Sequence, residues 1–127
     1  MTHNEISGII IDVAIDIHRR LGPGLLESVY KAVMIHELTK RGLRVEFERP
    51  IPVLWDNLQL EVGFRADLIV EVMVIVELKS IETVAPVHKK ILLTYLRLAD
   101  KRLGLLLNFG VELMKDGISR VVNGLRE

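Results

Sequence analysis

The stretch Phe64–Ser80, F-R-A-D-L-I-V-E-V-M-V-I-V-E-L-K-S, constrains this chain more than any other. Its aliphatic and β-branched residues read as two strands joined by a tight turn near Val72. Side chains on a strand alternate between faces. An antiparallel pair centred on Val72 therefore puts Ala66, Leu68, Val70, Val74, Val76 and Leu78 on one face. Arg65, Asp67, Ile69, Ile75, Glu77 and Lys79 share the other. The first face has to enter a core. On the second, Asp67 and Glu77 are equidistant from the turn and oppose each other. Like charges across a strand pair destabilise it. A hard divalent cation such as Mg²⁺ removes the repulsion, because it takes one or two carboxylates and keeps waters for the rest of its shell. Lys79 beside them can hold an attacking water or steady a developing negative charge. The plain alternative is a solvated strand face carrying a Glu–Lys or Arg–Asp pair, and the pattern alone does not decide between the two.

The length, 127 residues, suits one domain over 1–127, and with half its residues hydrophobic the chain can bury a core. Lys plus Arg and Asp plus Glu each number 17, so the formal net charge is zero. That argues against a strong non-specific nucleic-acid binder but leaves room for a local basic patch. The absence of cysteine excludes disulfides and thiolate metal sites. The run Ile9-Ile10-Ile11 is cut by Asp12 and Asp16, so it reads neither as a signal peptide nor as a membrane span. The expected setting is soluble and cytoplasmic.

Taken in order, residues from about Glu5 to Leu21 read as a helix with Asn4 as N-cap and a stripe of Ile6, Ile10, Val13, Ile17 and Leu21. Arg19 and Arg20 suit its C-terminal end, and Gly22-Pro23 stop it. His18 lies beside the stripe, as a partly buried helix-end histidine with one hydrogen bond. A second helix is predicted from Gly24 to about Arg41, with Leu26, Val29, Tyr30, Val33 and Leu38 inward and Gly42 as C-cap. Glu27 in its first turn either favours the helix dipole or, one turn before Tyr30, points a carboxylate at the sheet. Tyr30 either packs as core or orients Glu27.

Strands are expected at Leu43–Phe47, Val53–Trp55 and Leu58–Val62, with Asp56-Asn57 as a hairpin turn. Arg49-Pro50-Ile51-Pro52 should break regular pairing at an edge or bulge, and Gly63 should allow a bend. After a loop over Ser80–Ala85, Pro86 opens a helix to about Asp100 with Val87, Leu92, Leu96 and Ala99 inward. His88, Ile91 and Tyr95 share a neighbouring face, and Lys89, Lys90, Arg97 and Lys101 form a basic flank. Those cations make either a solvated face or a contact with a phosphate backbone. Leu103–Phe109 has the unbroken apolar character of a strand covered on both faces. Short strands or a hairpin follow over Val111–Met114 and Ile118–Val122 around Asp116-Gly117, before a frayed end.

Asp67, nine intervening residues and then Glu77-Leu78-Lys79 resemble the D…(D/E)-x-K core of the PD-(D/E)XK nuclease superfamily. Gly24-Leu25-Leu26-Glu27-Ser28-Val29-Tyr30 is similar to the signature of its GxxExxY family. The likeness continues through Ile17-His18, Gly22-Pro23-Gly24, Phe64-Arg65-Ala66-Asp67, Val76-Glu77-Leu78-Lys79, Leu93-Thr94-Tyr95-Leu96 and Leu107-Asn108-Phe109. It implies a three-layer α/β/α restriction-endonuclease-like core with a mixed, mostly antiparallel sheet. It tips Glu27 towards the metal-site reading.

The implied activity is a Mg²⁺- or Mn²⁺-dependent phosphodiesterase acting on nucleic acid, DNA before RNA. In that reading Asp67, Glu77 and Glu27 hold the metal, and Lys79 positions or activates water. His88, Tyr95, Lys89 and Lys90 contact substrate. A homodimer is the assembly that family analogy offers. One departure stands out: the family pattern has glutamine four residues before Tyr95, and this chain has Ile91. Isoleucine cannot hydrogen-bond a phosphate, a water or Lys79. That favours either a weakened nuclease or a non-catalytic nucleic-acid- or protein-binding module on the same fold.

Overall fold

The computed structural model describes residues 1–126. The first helix, α1, spans His3–Leu21. It starts two residues earlier than predicted because Thr2, not Asn4, is the N-cap. The Thr2 hydroxyl accepts from the Glu5 N–H and the Glu5 carboxylate accepts from the Thr2 N–H, which satisfies two otherwise unpaired donors. Helix α2 spans Glu27–Lys40, three residues shorter at its start than predicted. Gly24 sits at φ 98, outside helical geometry, so the Gly22-Pro23-Gly24 segment remains a linker. The buried side of α2 is Tyr30, Met34 and Leu38, spaced by four; Leu26 and Val29 are exposed. Apolar residues lie all around this helix, so periodicity could not choose the inner face. Arg41 ends α2 and Gly42 follows at φ 85, where glycine carries no Cβ penalty.

Five strands form one sheet in the order β1-β2-β3-β4-β5. They are β1 (Val45–Trp55), β2 (Leu58–Val70), β3 (Val74–Lys79), β4 (Leu103–Asn108) and β5 (Ile118–Val122). All neighbours are antiparallel except β3 and β4. The parallel pair requires a crossover, supplied by helix α3 (Pro86–Ala99). The sequence-based break at Arg49–Pro52 is milder than expected. Strand β1 runs through both prolines, which is tolerated because it is the sheet edge, and the register slips only between Ile51 and Val53. Gly63 faces that slip: a Cβ there would lie 2.1 Å from a methyl of Val53. The Asp56-Asn57 turn joins Trp55 to Leu58 as predicted.

Two cores sandwich the sheet. Helices α1 and α2 cover the face carrying Leu68, Val70, Val74, Val76, Leu78, Leu103, Leu105 and Leu107. Helix α3 covers the other with Leu92 and Leu96 against Ile69, Ile75 and Leu106. This is a three-layer α/β/α arrangement of the restriction-endonuclease-like kind, and β4 is buried along its whole length. After β4, residues Val111–Leu113 are not a strand. A 3₁₀ turn at Met114–Gly117 leads into β5, with no room for a Cβ at Gly117 against the Asn108 carbonyl. The C-terminal end is tied down rather than frayed: Asn123 bonds Lys101 and Arg102, and Leu125 packs on the first core. Glu127 lies outside the described residues.

Candidate active site

The β2–β3 hairpin turns where predicted, with Glu71 and Val72 at φ 54 and 60. Paired residues run from Val70↔Val74 to Leu68↔Val76. Beyond Val76, strand β3 keeps only its β4 partner: Glu77, Leu78 and Lys79 pair with Leu106, Leu107 and Asn108. The two strands of the hairpin therefore part at Asp67 and Glu77. Side chains replace the missing ladder bonds. The Leu78 N–H donates to Asp67 Oδ2 at 2.9 Å, and the Asp67 N–H donates to Glu77 Oε1 at 3.3 Å. The opening gives two facing carboxylates room that a closed ladder would deny them.

The alternation of faces slips here too. Ala66 packs with Phe64 and Ile69 in the core under α3, not on the Leu68 face where strict alternation put it. The partner strand shares the irregularity: between Phe47↔Leu68 and Arg49↔Ala66, Glu48 adopts φ 50. A residue turned into left-handed geometry on one strand re-aims the side chains across from it.

Burial and the nearby Asp67 charge push the Glu77 carboxyl up to about 8, against a weaker opposing pull from Lys79. A cavity of about 90 Å³ opens on the α3 side, lined by Glu77, Lys79, His88, Ile91, Leu92, Tyr95 and Leu106. Five residues singled out in the sequence meet there. Tyr95 stacks on Phe64 with ring centroids 3.7 Å apart, and its phenol is raised by burial and then by the Glu77 and Asp67 charges. His88 Nδ1 accepts from the Ala85 N–H, which leaves Nε2 as the proton-bearing nitrogen of the neutral ring. Lys89 and Lys90 are exposed on α3. Lys101 is engaged elsewhere, donating to the Val72 carbonyl in the hairpin turn.

Glu27 is not brought to the Asp67–Glu77 pair. It is exposed at the start of α2 and lines a separate groove with Leu25, Ser80, Ile81 and Glu82. No cluster of three or more acidic or imidazole side chains fit for a metal occurs among the described residues. Tyr30 packs as core. It stacks on Phe109, donates to the Gly22 carbonyl at 2.6 Å, and accepts from the Leu25 N–H rather than touching Glu27. His18 is buried with Nε2 2.8 Å from the Val111 carbonyl, as expected of a helix-end histidine.

Three residues at the site were not foreseen. Lys31, one turn after Glu27, reaches in from α2: its Nζ lies 3.7 Å from Asp67 Oδ1 and 2.9 Å from Glu48 Oε1. Its ammonium is held protonated above the usual lysine range, first by Glu48 and then, against desolvation, by Asp67. The i,i+4 spacing from Glu27 was the available signal for Lys31. Nothing in the sequence marked Glu48. Asn108, fully buried at the end of β4, clamps the loop that follows Lys79. Its Oδ1 accepts from the Ile81 and Gly110 N–H groups, and its Nδ2 donates to the Ile81 carbonyl. A buried amide ending an apolar run is legible as a clamp, though not its partner. A groove of about 650 Å³ between α1 and the 3₁₀ turn is lined by none of the candidate site residues.

Comparison with known families agrees with this geometry: the model of the PD-(D/E)XK nuclease superfamily matches residues 4–121. The chain belongs to the PD-(D/E)XK nuclease superfamily. The match takes in α1 through most of β5, so the cleft and all the candidate residues fall inside it. No curated protein and no solved structure gives a significant match. No helix is long and apolar enough to cross a membrane among the described residues.

Whether the cleft suits the divalent cation that such nucleases generally use is a question of its donors. Asp67 and Glu77 bring hard oxygen donors to one gap, where each also accepts a backbone N–H. One or two carboxylates completed by water and phosphate is what Mg²⁺ takes. The donor set fits.

Proposed function

We propose that the protein is a metal-dependent nuclease hydrolysing phosphodiesters, DNA in preference to RNA, with its centre in the opened β2–β3 cleft. The observation that supports this is the parting of the two strands at Asp67 and Glu77, with Glu77 and Lys79 lining one small cavity beside it. Asp67 and Glu77 would hold Mg²⁺ or Mn²⁺. A divalent cation there supplies Lewis acidity for the phosphoryl group and lowers the pKa of water.

The chain's own residues do the rest. Lys79, on the cavity wall beside Glu77, orients the attacking water and offsets charge building on the phosphate. His88, with its Nε2–H free, donates to a phosphate oxygen. Tyr95, its phenol kept neutral, donates likewise. Lys89 and Lys90 bind the flanking backbone of the nucleic acid. Glu27 acts from the neighbouring groove through water. The G-x-x-E-x-x-Y signature at Gly24–Tyr30 favours the GxxExxY family, and a single catalytic domain in the cytoplasm, working alone or as a homodimer, accords with the reading.

Ile91 favours the second reading, a binding module that has lost catalysis, because it puts a hydrocarbon wall where a hydrogen-bonding side chain could serve. A cleavage assay on single-stranded DNA, duplex DNA and RNA with Mg²⁺ and Mn²⁺ decides. Cation-dependent products from the parent, absent from Glu77→Ala, are expected. No cleavage of any substrate, with nucleic acid still bound, would leave the binding module.

A further inference from the structure

Asp67 spends one carboxylate oxygen on the fold: Oδ2 accepts the Leu78 N–H. Oδ1 is the oxygen left for a ligand, and it is the one that Lys31 approaches, at 3.7 Å. That distance is an ion pair without a hydrogen bond. Lys31 makes its hydrogen bond instead to Glu48, at 2.9 Å. Glu48 can offer that contact because it stands at φ 50 on the edge strand, directly across from the Asp67 segment. Lys31 and Asp67 side chains are each about one-fifth exposed (22%), so their attraction is less screened than a surface pair's, while Glu48 is well exposed at 59%.

We propose that Lys31 is a positioning residue that occupies the counter-charge place at Asp67 in the metal-free protein and withdraws fully to Glu48 when a divalent cation enters the cleft. This rests on Asp67 and Glu77 holding that cation. In the metal-free cleft the ammonium of Lys31 stands beside the free Asp67 Oδ1. Lys31 supplies that one positive charge without a hydrogen bond to Asp67, because its hydrogen bond goes to a different acid, Glu48. A dication at Asp67 repels the ammonium, and Glu48 gives it somewhere to go without crossing into solvent. Lys31 thereby competes with the cation, and Glu48 relieves the competition. Removing the ammonium's repulsion should change cation affinity on the order of tenfold, which is about 1.4 kcal/mol.

The test is calorimetric titration with Mn²⁺ of the full chain, in the parent, Lys31→Met, Glu48→Gln and the double variant, with melting in chelator as a check of folding. Lys31→Met should bind Mn²⁺ about tenfold more tightly and melt at a lower temperature without metal. Glu48→Gln should bind severalfold more weakly while Lys31 is present and little changed once it is Met. Unchanged or weaker binding in a folded Lys31→Met overturns the proposal. An equal loss from Glu48→Gln in both backgrounds also overturns it, since Glu48 would then ligate the cation itself. If no variant binds Mn²⁺ at all, the cation site at Asp67 and Glu77 falls, and the role of Lys31 falls with it. Binding by the parent with no response to Lys31 leaves that site standing and removes only the proposal.

Discussion

Glu77 shows how much of the site's behaviour one side chain controls. Its carboxyl is raised in the folded protein to about 8 from an ordinary 4.5, first by burial and then by Asp67. The folded state therefore holds a proton that the unfolded chain has lost between those two values. Stability contributed by this group is fully present below about 4.5 and falls as pH rises through about 8. Denaturant unfolding in chelator should show the parent losing stability from pH 5 to 8.5 along a slope that Glu77→Gln lacks. Identical slopes would mean that Glu77 is paired and charged throughout. Ile91 lies on the same cavity wall, and its proposed effect is on the rate. A hydrogen bond to a charged group is worth roughly 1.5–3 kcal/mol. If it strengthens in the transition state, Ile91→Gln should raise cation-dependent cleavage about ten- to a hundredfold. Ile91 is partly exposed, 40%, so glutamine can be accommodated at little cost to folding. No gain in a variant that still binds Mn²⁺ would remove the assigned role. That Asp67 faces Glu77, and that His88, Ile91 and Tyr95 share one helix face, was legible because their spacing maps onto a strand pair and a helix face; the roles assigned to them came from the resemblance. Lys31 and Glu48 were not legible, because their meeting depends on how α2 crosses the edge strand and on a single positive φ.

At the scale of elements, the cleft exists because β3, paired with β4 along its whole length, loses β2 beyond Val76. It leaves β2 at Asp67 and runs on beside β4, so the gap is a property of the hairpin's divergence and not of any residue alone. The sequence carried the hairpin and its turn, but strict alternation misplaced Ala66, since no local signal announces a slip. The same limit applied to α2, where Tyr30, Met34 and Leu38 were selected by tertiary contact from an evenly apolar helix. The far end of β3 is held by Asn108, whose amide bonds the Ile81 backbone twice and the Gly110 N–H once. Asn108→Ala strands those buried groups, each at about 1–3 kcal/mol. Melting should drop by several degrees, and cleavage should fall further than folding alone explains, because the loop after Lys79 loosens. A melting temperature within a degree of the parent's would show that water replaces the amide.

At the scale of the whole molecule, three layers were readable from element order and periodicity, and the mixed sheet follows from one parallel crossover through α3. What the sequence could not supply was the opening between β2 and β3, which turns an ordinary fold into a site. With zero net charge, any contact with phosphate would have to come from local positive groups, and Lys79, Lys89 and Lys90 are the ones proposed. Cation binding should then register globally, because a ligand that binds only the folded state raises the melting temperature. The central claim is that Asp67 and Glu77 share a divalent cation in the opened cleft. Its most direct measurement is calorimetric titration of Mn²⁺ into the parent and into Asp67→Ala. A single saturable site in the parent that is lost in a folded Asp67→Ala is the predicted result. Equal binding by both proteins would place the cation elsewhere and contradict the account.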